Sequence, residues 1–174
     1  MIQRIRHRLW QGFRALTAFA RPVDYAAVAE VLSPELLTLF KRMRRSEQIH
    51  CLHVMHYLRE RGHQHPDLLT AALLHDAGKS RYPLTLAGRT MAVLVRKFLP
   101  KQYERWAQSR PQGWRRPFVI AVQHPIWSAE DMAAAGASPL AVALARRHQT
   151  IPANPPRDEE DRLLLLLREA DRAS

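Results

Sequence analysis

The sequence has a single cysteine, Cys51, among its 174 residues, so no disulfide can form within the chain. That usage suits a reducing compartment, and we expect a cytoplasmic location. Long apolar runs are also lacking: runs such as Leu163 to Leu167 fall far short of the roughly 18 residues that a transmembrane helix needs. No uninterrupted apolar stretch with a small-residue cleavage site follows the basic N-terminus, so the sequence does not indicate a signal peptide.

Strand-like alternation of polar and apolar residues does not persist anywhere, and repeats and interdomain linkers are missing. Apolar residues recur instead at helical spacing. A chain of this length can bury about 70% of its unfolded surface in one domain. We therefore predict an all-α fold, with a compact helical domain over residues 31–174 and an additional amphipathic helix within residues 1–30.

Local signals set the approximate limits of the helices. Two Ser-Pro pairs, Ser33-Pro34 and Ser138-Pro139, predict helix starts because serine can cap and proline suits the first turn. Gly62 and Gly78 are expected to follow helix ends. The predicted helices cover about residues 34–43, 47–61, 67–76 and 90–99, a helix leading into 124, one from 139 that carries 148, and 158–172.

Acidic residues are scarce: 16 Asp and Glu oppose 27 Lys and Arg, which gives a formal net charge of +11. Between Ala77 and Gln123 the only acid is Glu104, against ten basic residues. Such an excess favours an anionic partner, namely a nucleotide, a nucleic acid or a membrane surface, although no feature points to duplex nucleic acid. The alternative is a solvated basic face that only keeps the domain soluble.

The N-terminal helix has its own basic residues, Arg4, Arg6, Arg8 and Arg14, beside an apolar stripe. It could make a peripheral contact with an anionic membrane. We favour the alternative, in which the stripe packs on the helical domain.

Nine histidines are many for this length. The most informative string is Ala-Ala-Leu-Leu-His-Asp-Ala-Gly-Lys, in which an apolar helix ends at His75 and Asp76. An unpaired charge in apolar surroundings is costly. A metal ion would remove that cost, because imidazole and carboxylate groups both bind transition metals.

This string resembles the central signature of the HD superfamily of metal-dependent phosphohydrolases. Upstream, the helix with His50 is similar to the first-histidine helix of that family. Downstream, Arg-Glu-Ala-Asp171 resembles its closing helix, and His124-Pro and Arg-His148 are similar to the two extra histidines of its binuclear members. The resemblance covers about residues 36–174.

The resemblance implies a site for two divalent transition-metal ions, with Mn, Fe, Co, Ni and Zn all compatible. His50, His75, Asp76 and Asp171 would hold the first ion. Asp76, His124 and His148 would hold the second, so that Asp76 bridges. A hydroxide bridging the two ions would attack a phosphoester or phosphoanhydride bond of a nucleotide-like, phosphorylated substrate. Lys79, as a catalytic and substrate-binding residue, together with Arg81 and Arg147, would take up phosphate charge.

The sequence departs from two branches of the superfamily. The cyclic-dinucleotide phosphodiesterases have adjacent histidines where this chain has His148-Gln149, and their GYP motif is missing. The alarmone hydrolases carry a Glu-Asp pair where this chain reads Lys79-Ser-Arg-Tyr. Two other functions stay open: a mixed-valent di-iron oxygenase with the same ligand pattern, and a binding or regulatory module that retains the fold without turnover.

Overall fold

The computed structural model describes residues 22–153 and 155–174, and in these ranges the chain forms helices and no strand. The predicted all-α fold is confirmed. The predicted N-terminal helix with Arg4 to Arg14 falls outside the described residues. The α-helices are α1 (Tyr25–Ala29), α2 (Pro34–Arg42), α3 (Arg45–Glu60), α4 (Pro66–Leu74), α5 (Leu86–Phe98), α6 (Pro100–Ala107), α7 (Arg116–Ala134), α8 (Pro139–Arg147) and α9 (Glu159–Ala173). Two 3₁₀ helices, Ala77–Arg81 and Gly113–Arg115, precede α5 and α7.

The helix starts follow from the capping residues. Both Ser-Pro predictions are confirmed: the Ser33 hydroxyl accepts a hydrogen bond from Leu36 N, and the Ser138 hydroxyl accepts one from Ala141 N. α5 begins four residues earlier than predicted because Thr85 caps it, with its hydroxyl accepting from Gly88 N. A threonine cap depends on one hydroxyl and gives little signal in the sequence, which explains the error.

The two glycines predicted to follow helix ends behave differently. Gly62 has φ of 81° and ends α3 as expected, since few other residues adopt that conformation. The prediction for Gly78 is wrong. α4 already ends at Leu74, and Gly78 lies in the next 3₁₀ helix with φ outside the left-handed region. Its role is a close approach to α7, described below.

The main core joins the helices on which the predicted ligands lie. α3 packs against α4 and α9, α4 packs against α8, and α7 packs against α8 and the 3₁₀ helix Ala77–Arg81. Fully buried Phe40, Met55, Leu74, Leu144 and Leu164 fill the space between them. This packing brings helices distant in sequence to one point.

A smaller core lies beside the main one, between α5, α6 and the start of α7. Its buried residues are Ala92, Tyr103, Ala107 and Phe118. At the other end of the domain, Val23 and Val28 are buried in the main core, so residues 22–30 pack with the domain. The proposed division of the chain after residue 30 stays a prediction.

Candidate metal centre

The six predicted ligands come from five helices that meet in the domain. His50 is on α3 and Asp171 is on α9, while His124 is on α7. His75 directly follows the last residue of α4, and His148 directly follows that of α8. Asp76 follows His75 and directly precedes the 3₁₀ helix. The structure brings all six residues together.

One half of the cluster is built around Asp171. Its Oδ1 atom lies 2.9 Å from His50 Nε2 and 3.6 Å from His75 Nε2. Burial would raise the pKa of Asp171, but hydrogen bonds from His50 and His75 hold it below its usual value. The ligand atoms of these three residues all lie within 4.8 Å of one another, as a shared metal ion requires.

The other half of the cluster is built around Asp76. Its Oδ1 atom lies 3.2 Å from His124 Nε2 and 4.0 Å from His148 Nε2. Its Oδ2 atom lies 3.7 Å from His75 Nε2 and 2.6 Å from Lys79 Nζ. One carboxylate oxygen thus faces each half of the cluster, which is the arrangement that a bridging ligand needs.

Three buried histidines are held in the same tautomer by backbone carbonyls. The Nδ1 atoms donate to carbonyls one turn earlier: His75 to Ala72 O at 3.0 Å, and His148 to Ala145 O at 2.7 Å. His124 Nδ1 donates to Ile120 O at 2.8 Å. With the proton assigned to Nδ1, each Nε2 lone pair points into the cluster. A hydrogen bond from the other ring nitrogen to a backbone carbonyl is typical of histidines that bind metal.

This arrangement fits a cation better than it fits a metal-free core. The Nε2 atoms of His124 and His148 lie 3.3 Å apart, so two lone pairs face each other in a buried space. Burial and the neighbouring His75 lower the pKa of His148 to about 3, which keeps its imidazole neutral at ordinary pH. A neutral imidazole is the form that binds metal.

Positive charge is also favoured in the half around Asp171. Burial by itself would lower the pKa of His75, but Cys51, Asp76 and Asp171 around its ring together raise it well above the usual value. A metal ion could take the place of that buried proton, between His75 Nε2 and the two carboxylates. The donor set, imidazoles and carboxylates, suits divalent transition metals.

Cys51 lies next to the cluster, with Sγ 3.9 Å from His75 Nδ1. The side chain is fully buried, and burial raises the pKa of its thiol. A protonated buried thiol is neither a nucleophile nor a ready ligand. Cys51 is therefore a small core residue.

Lys79 lies at the edge of the cluster, where its ammonium group pairs with Asp76. Although burial alone would lower the pKa of Lys79, the Asp76 carboxylate raises it, and Lys79 in turn holds the pKa of Asp76 well below its usual value. Lys79 therefore carries a full positive charge beside the ligands. Its action on substrate stays a prediction.

A cavity of about 210 Å³ opens over the cluster, lined by His50, Asp76, Lys79, His148 and Asp171. Four further residues line it that the sequence analysis did not select: Ser46, Glu47, Arg89 and Gln149. Glu47 is buried and forms an ion pair with Arg89 of α5. The three-residue spacing of Glu47 and His50 on α3 could have indicated that both face the same side.

The other two predicted substrate-binding residues do not line this cavity. Arg81 forms ion pairs with Glu130 and Asp131 and lines a separate cavity with Glu35. Arg147 pairs with Glu160 and Asp161, both in the first turn of α9. Their contact with substrate stays a prediction. Of the ten basic residues between Ala77 and Gln123, Lys79 and Arg89 are those that line the cavity.

The family model of the HD domain matches residues 48–174, more than two thirds of the chain. The match includes all six residues of the cluster. No curated protein and no solved structure matches the chain at a significant level. Among the described residues, no helix is both long and apolar enough to cross a bilayer.

Proposed function

Since the chain belongs to the HD domain family, whose members are mostly metal-dependent hydrolases, we propose that it is a metal-dependent phosphohydrolase acting on a nucleotide-like substrate. The observation that carries this proposal is the cluster itself. Four imidazoles and two carboxylates converge at the floor of an open cavity, with Asp76 turned to both halves.

The charges of the cavity support a site that needs metal before it can bind phosphate. Its lining has the carboxylates of Glu47, Asp76 and Asp171, but only two permanent cations, Lys79 and Arg89. With the histidines in the neutral form that binds metal, the side chains of the lining are net negative and would by themselves repel a phosphate. Two divalent ions would reverse the sign, and the field of such ions dominates a small site.

When bound, the ions would supply an activated water and neutralise the substrate's phosphate oxygens. The protein's own side chains would position the substrate. Lys79 would bind one phosphate oxygen once an ion takes over its contact with Asp76, and Arg89 would bind a second phosphate from the rim. The buried Glu47 carboxylate would keep the Arg89 guanidinium oriented.

The size of the cavity limits which part of the substrate enters it. At about 210 Å³ it is smaller than the roughly 300–1,000 Å³ of sites that enclose a whole organic ligand. We expect the phosphate groups to occupy it and the remainder of the substrate to lie over its mouth. This favours substrates in which the phosphate that is cleaved lies at or near one end.

The proposal is tested by metal analysis combined with a phosphate-release assay on a panel of nucleotides, nucleoside polyphosphates and cyclic dinucleotides. The wild-type protein should contain about two transition-metal ions per chain and release phosphate from at least one substrate class. Asp76→Ala should lose both metal and activity. The matched control is His56→Ala, a histidine of the same α3 helix outside the cluster, which should retain both.

Two results would replace the proposal. Iron-dependent, substrate-dependent oxygen uptake without phosphate release would indicate an oxygenase. A folded wild-type protein that binds no metal even after reconstitution would indicate a binding or regulatory module.

A further inference from the structure

Helix α5 is apolar on two opposite sides. Its inner side, with Gly88 and Ala92 buried, packs against α6 and α7. Its outer side also carries large apolar residues, which are exposed to solvent: Leu86 (80%), Val93 (67%), Leu94 (50%) and Phe98 (67%). We call these four residues the apolar α5 face.

The four residues share one side of the helix. At about 100° per residue their side chains fall within an arc of about 140°, which also contains the exposed Thr90 and Lys97. A surface helix ordinarily turns polar residues outward, so two apolar sides indicate that the outer one has its own partner.

The charges around the apolar α5 face are mostly positive. α5 contains no acidic residue, and the exposed cations Arg96, Lys97, Lys101 and Arg105 lie on it and on α6. The only acid from residue 77 to residue 123 is Glu104. An apolar strip beside a cluster of cations is the pattern of a helix that lies in the interface of an anionic bilayer.

From this combination we propose that the apolar α5 face docks on an anionic lipid bilayer. Backbone groups in the middle of α5 pair within the helix, as in any α-helix, so that part can enter the headgroup region without exposing unpaired backbone groups. Phe98 and Leu94 would reach the acyl boundary, while Lys97 and Arg96 contact lipid phosphates. The proposal does not depend on the activity of the metal centre.

Charge also argues against the two occupants that the chain itself could provide. A second copy would bring Arg96 and Lys97 of one molecule against those of the other. The N-terminal segment has Arg4, Arg6, Arg8 and Arg14, and so carries the same sign as the surface around α5. Repulsion between like charges opposes both contacts, whereas the negative charge of an anionic bilayer complements the cations around α5.

The proposal is tested by flotation of the full-length protein with vesicles of phosphatidylcholine alone or mixed with phosphatidylglycerol. Wild-type protein should bind the mixed vesicles and not the neutral ones, and raised salt should weaken binding. Val93→Ser/Phe98→Ser should lower the partition coefficient by about tenfold or more, because two inserted side chains are lost. Arg96→Gln/Lys97→Gln should lower it by about 25-fold, or roughly fivefold for each cation.

The matched control is Ile151→Ser, which removes an apolar side chain that is 81% exposed in the loop between α8 and α9. It should bind mixed vesicles like wild type. Circular dichroism should show the α5 variants and Ile151→Ser folded, since the residues changed in them are exposed. The N-terminal variant Arg4→Gln/Arg8→Gln tests whether the N-terminal segment makes the membrane contact instead.

Four outcomes would overturn the proposal. The first is equal binding to both kinds of vesicle, and the second is no binding to either. The third is wild-type binding by both α5 variants with loss in the N-terminal variant. The fourth is a dimer in light scattering that Val93→Ser/Phe98→Ser converts to a monomer, which would assign the face to a second copy.

Discussion

Substituting Gly78 by alanine should damage both the fold and one half of the metal centre. A Cβ atom at this position would lie 2.4 Å from the carbonyl oxygen of His124, 2.6 Å from Ser128 N and 2.8 Å from Trp127 Cβ. Two of these atoms are backbone atoms of α7 and cannot rotate away. Ordinary contact begins near 3.4 Å, so α7 must move by roughly 1 Å from the 3₁₀ helix.

The magnitude follows from what this movement disrupts. Overpacking of a dense core costs about 1–3 kcal/mol, and a rigid backbone obstacle puts this case at the upper end. The hydrogen bond from Gly78 N to Ser128 Oγ, 2.8 Å long and buried, would be strained as well. His124 moves with α7, away from Asp76. Since metal–ligand distances tolerate only about 0.2 Å, the ion shared by these two residues should be lost.

The assay is urea unfolding of the metal-stripped protein, followed by metal analysis after reconstitution. We expect a loss of about 3 kcal/mol in the free energy of unfolding and retention of about one of the two metal ions per chain. Gly62→Ala is the control: its φ of 81° also penalises alanine, by about 1–2 kcal/mol, but no atom lies within 4 Å of the new Cβ. It should keep both ions. Wild-type stability and metal content in Gly78→Ala would refute the close approach of α7.

Three further predictions concern the residues of the cavity. Asp76→Ala should remove both ions, whereas His124→Ala should remove mainly one, as measured by elemental analysis; equal metal content in wild type and Asp76→Ala would contradict the bridging role. Lys79→Ala should keep metal stoichiometry but lose phosphate release, because an ammonium group cannot bind a metal ion; combined loss of metal and activity would make its role structural. Arg89→Ala should lower the free energy of unfolding by about 1–3 kcal/mol, since Glu47 stays buried without its partner. Glu47→Gln/Arg89→Ala should recover most of that loss in the same urea titration, and no recovery would show that the pair does not act as a unit.

The parts of the fold with local signals could be predicted from the sequence. Ser33 and Ser138 cap helices as expected, and Gly62 ends α3, because capping and left-handed turns depend on neighbours within four residues. The role of Gly78 could not be predicted in this way. It depends on the approach of α7, fifty residues further along the chain, and no local pattern encodes that distance.

The same distinction applies to the candidate site. The six ligands could be selected because each lies in a short string with family-like context. Glu47 and Arg89 were not selected, since an acid on α3 and an arginine on α5 become partners only when the two helices meet at the cavity. Arg81 was also selected as a substrate-binding residue, but its guanidinium pairs with Glu130 and Asp131.

Two of the ligands owe their position to the way their helices end. The last carbonyls of a helix lack backbone donors, and they carry the negative end of the helix dipole. His75 and His148 each follow the last residue of a helix and donate Nδ1–H to a carbonyl of its final turn, Ala72 O and Ala145 O. That single hydrogen bond satisfies an end carbonyl, fixes the tautomer and directs the Nε2 lone pair into the cluster. It also places the negative ends of α4 and α8 beside the site, where a divalent cation would be favoured. A histidine just past the last residue of a buried helix is therefore predisposed to bind metal. Because His75 and His148 both lie close to Asp76, the short string His-Asp can form the centre of the site.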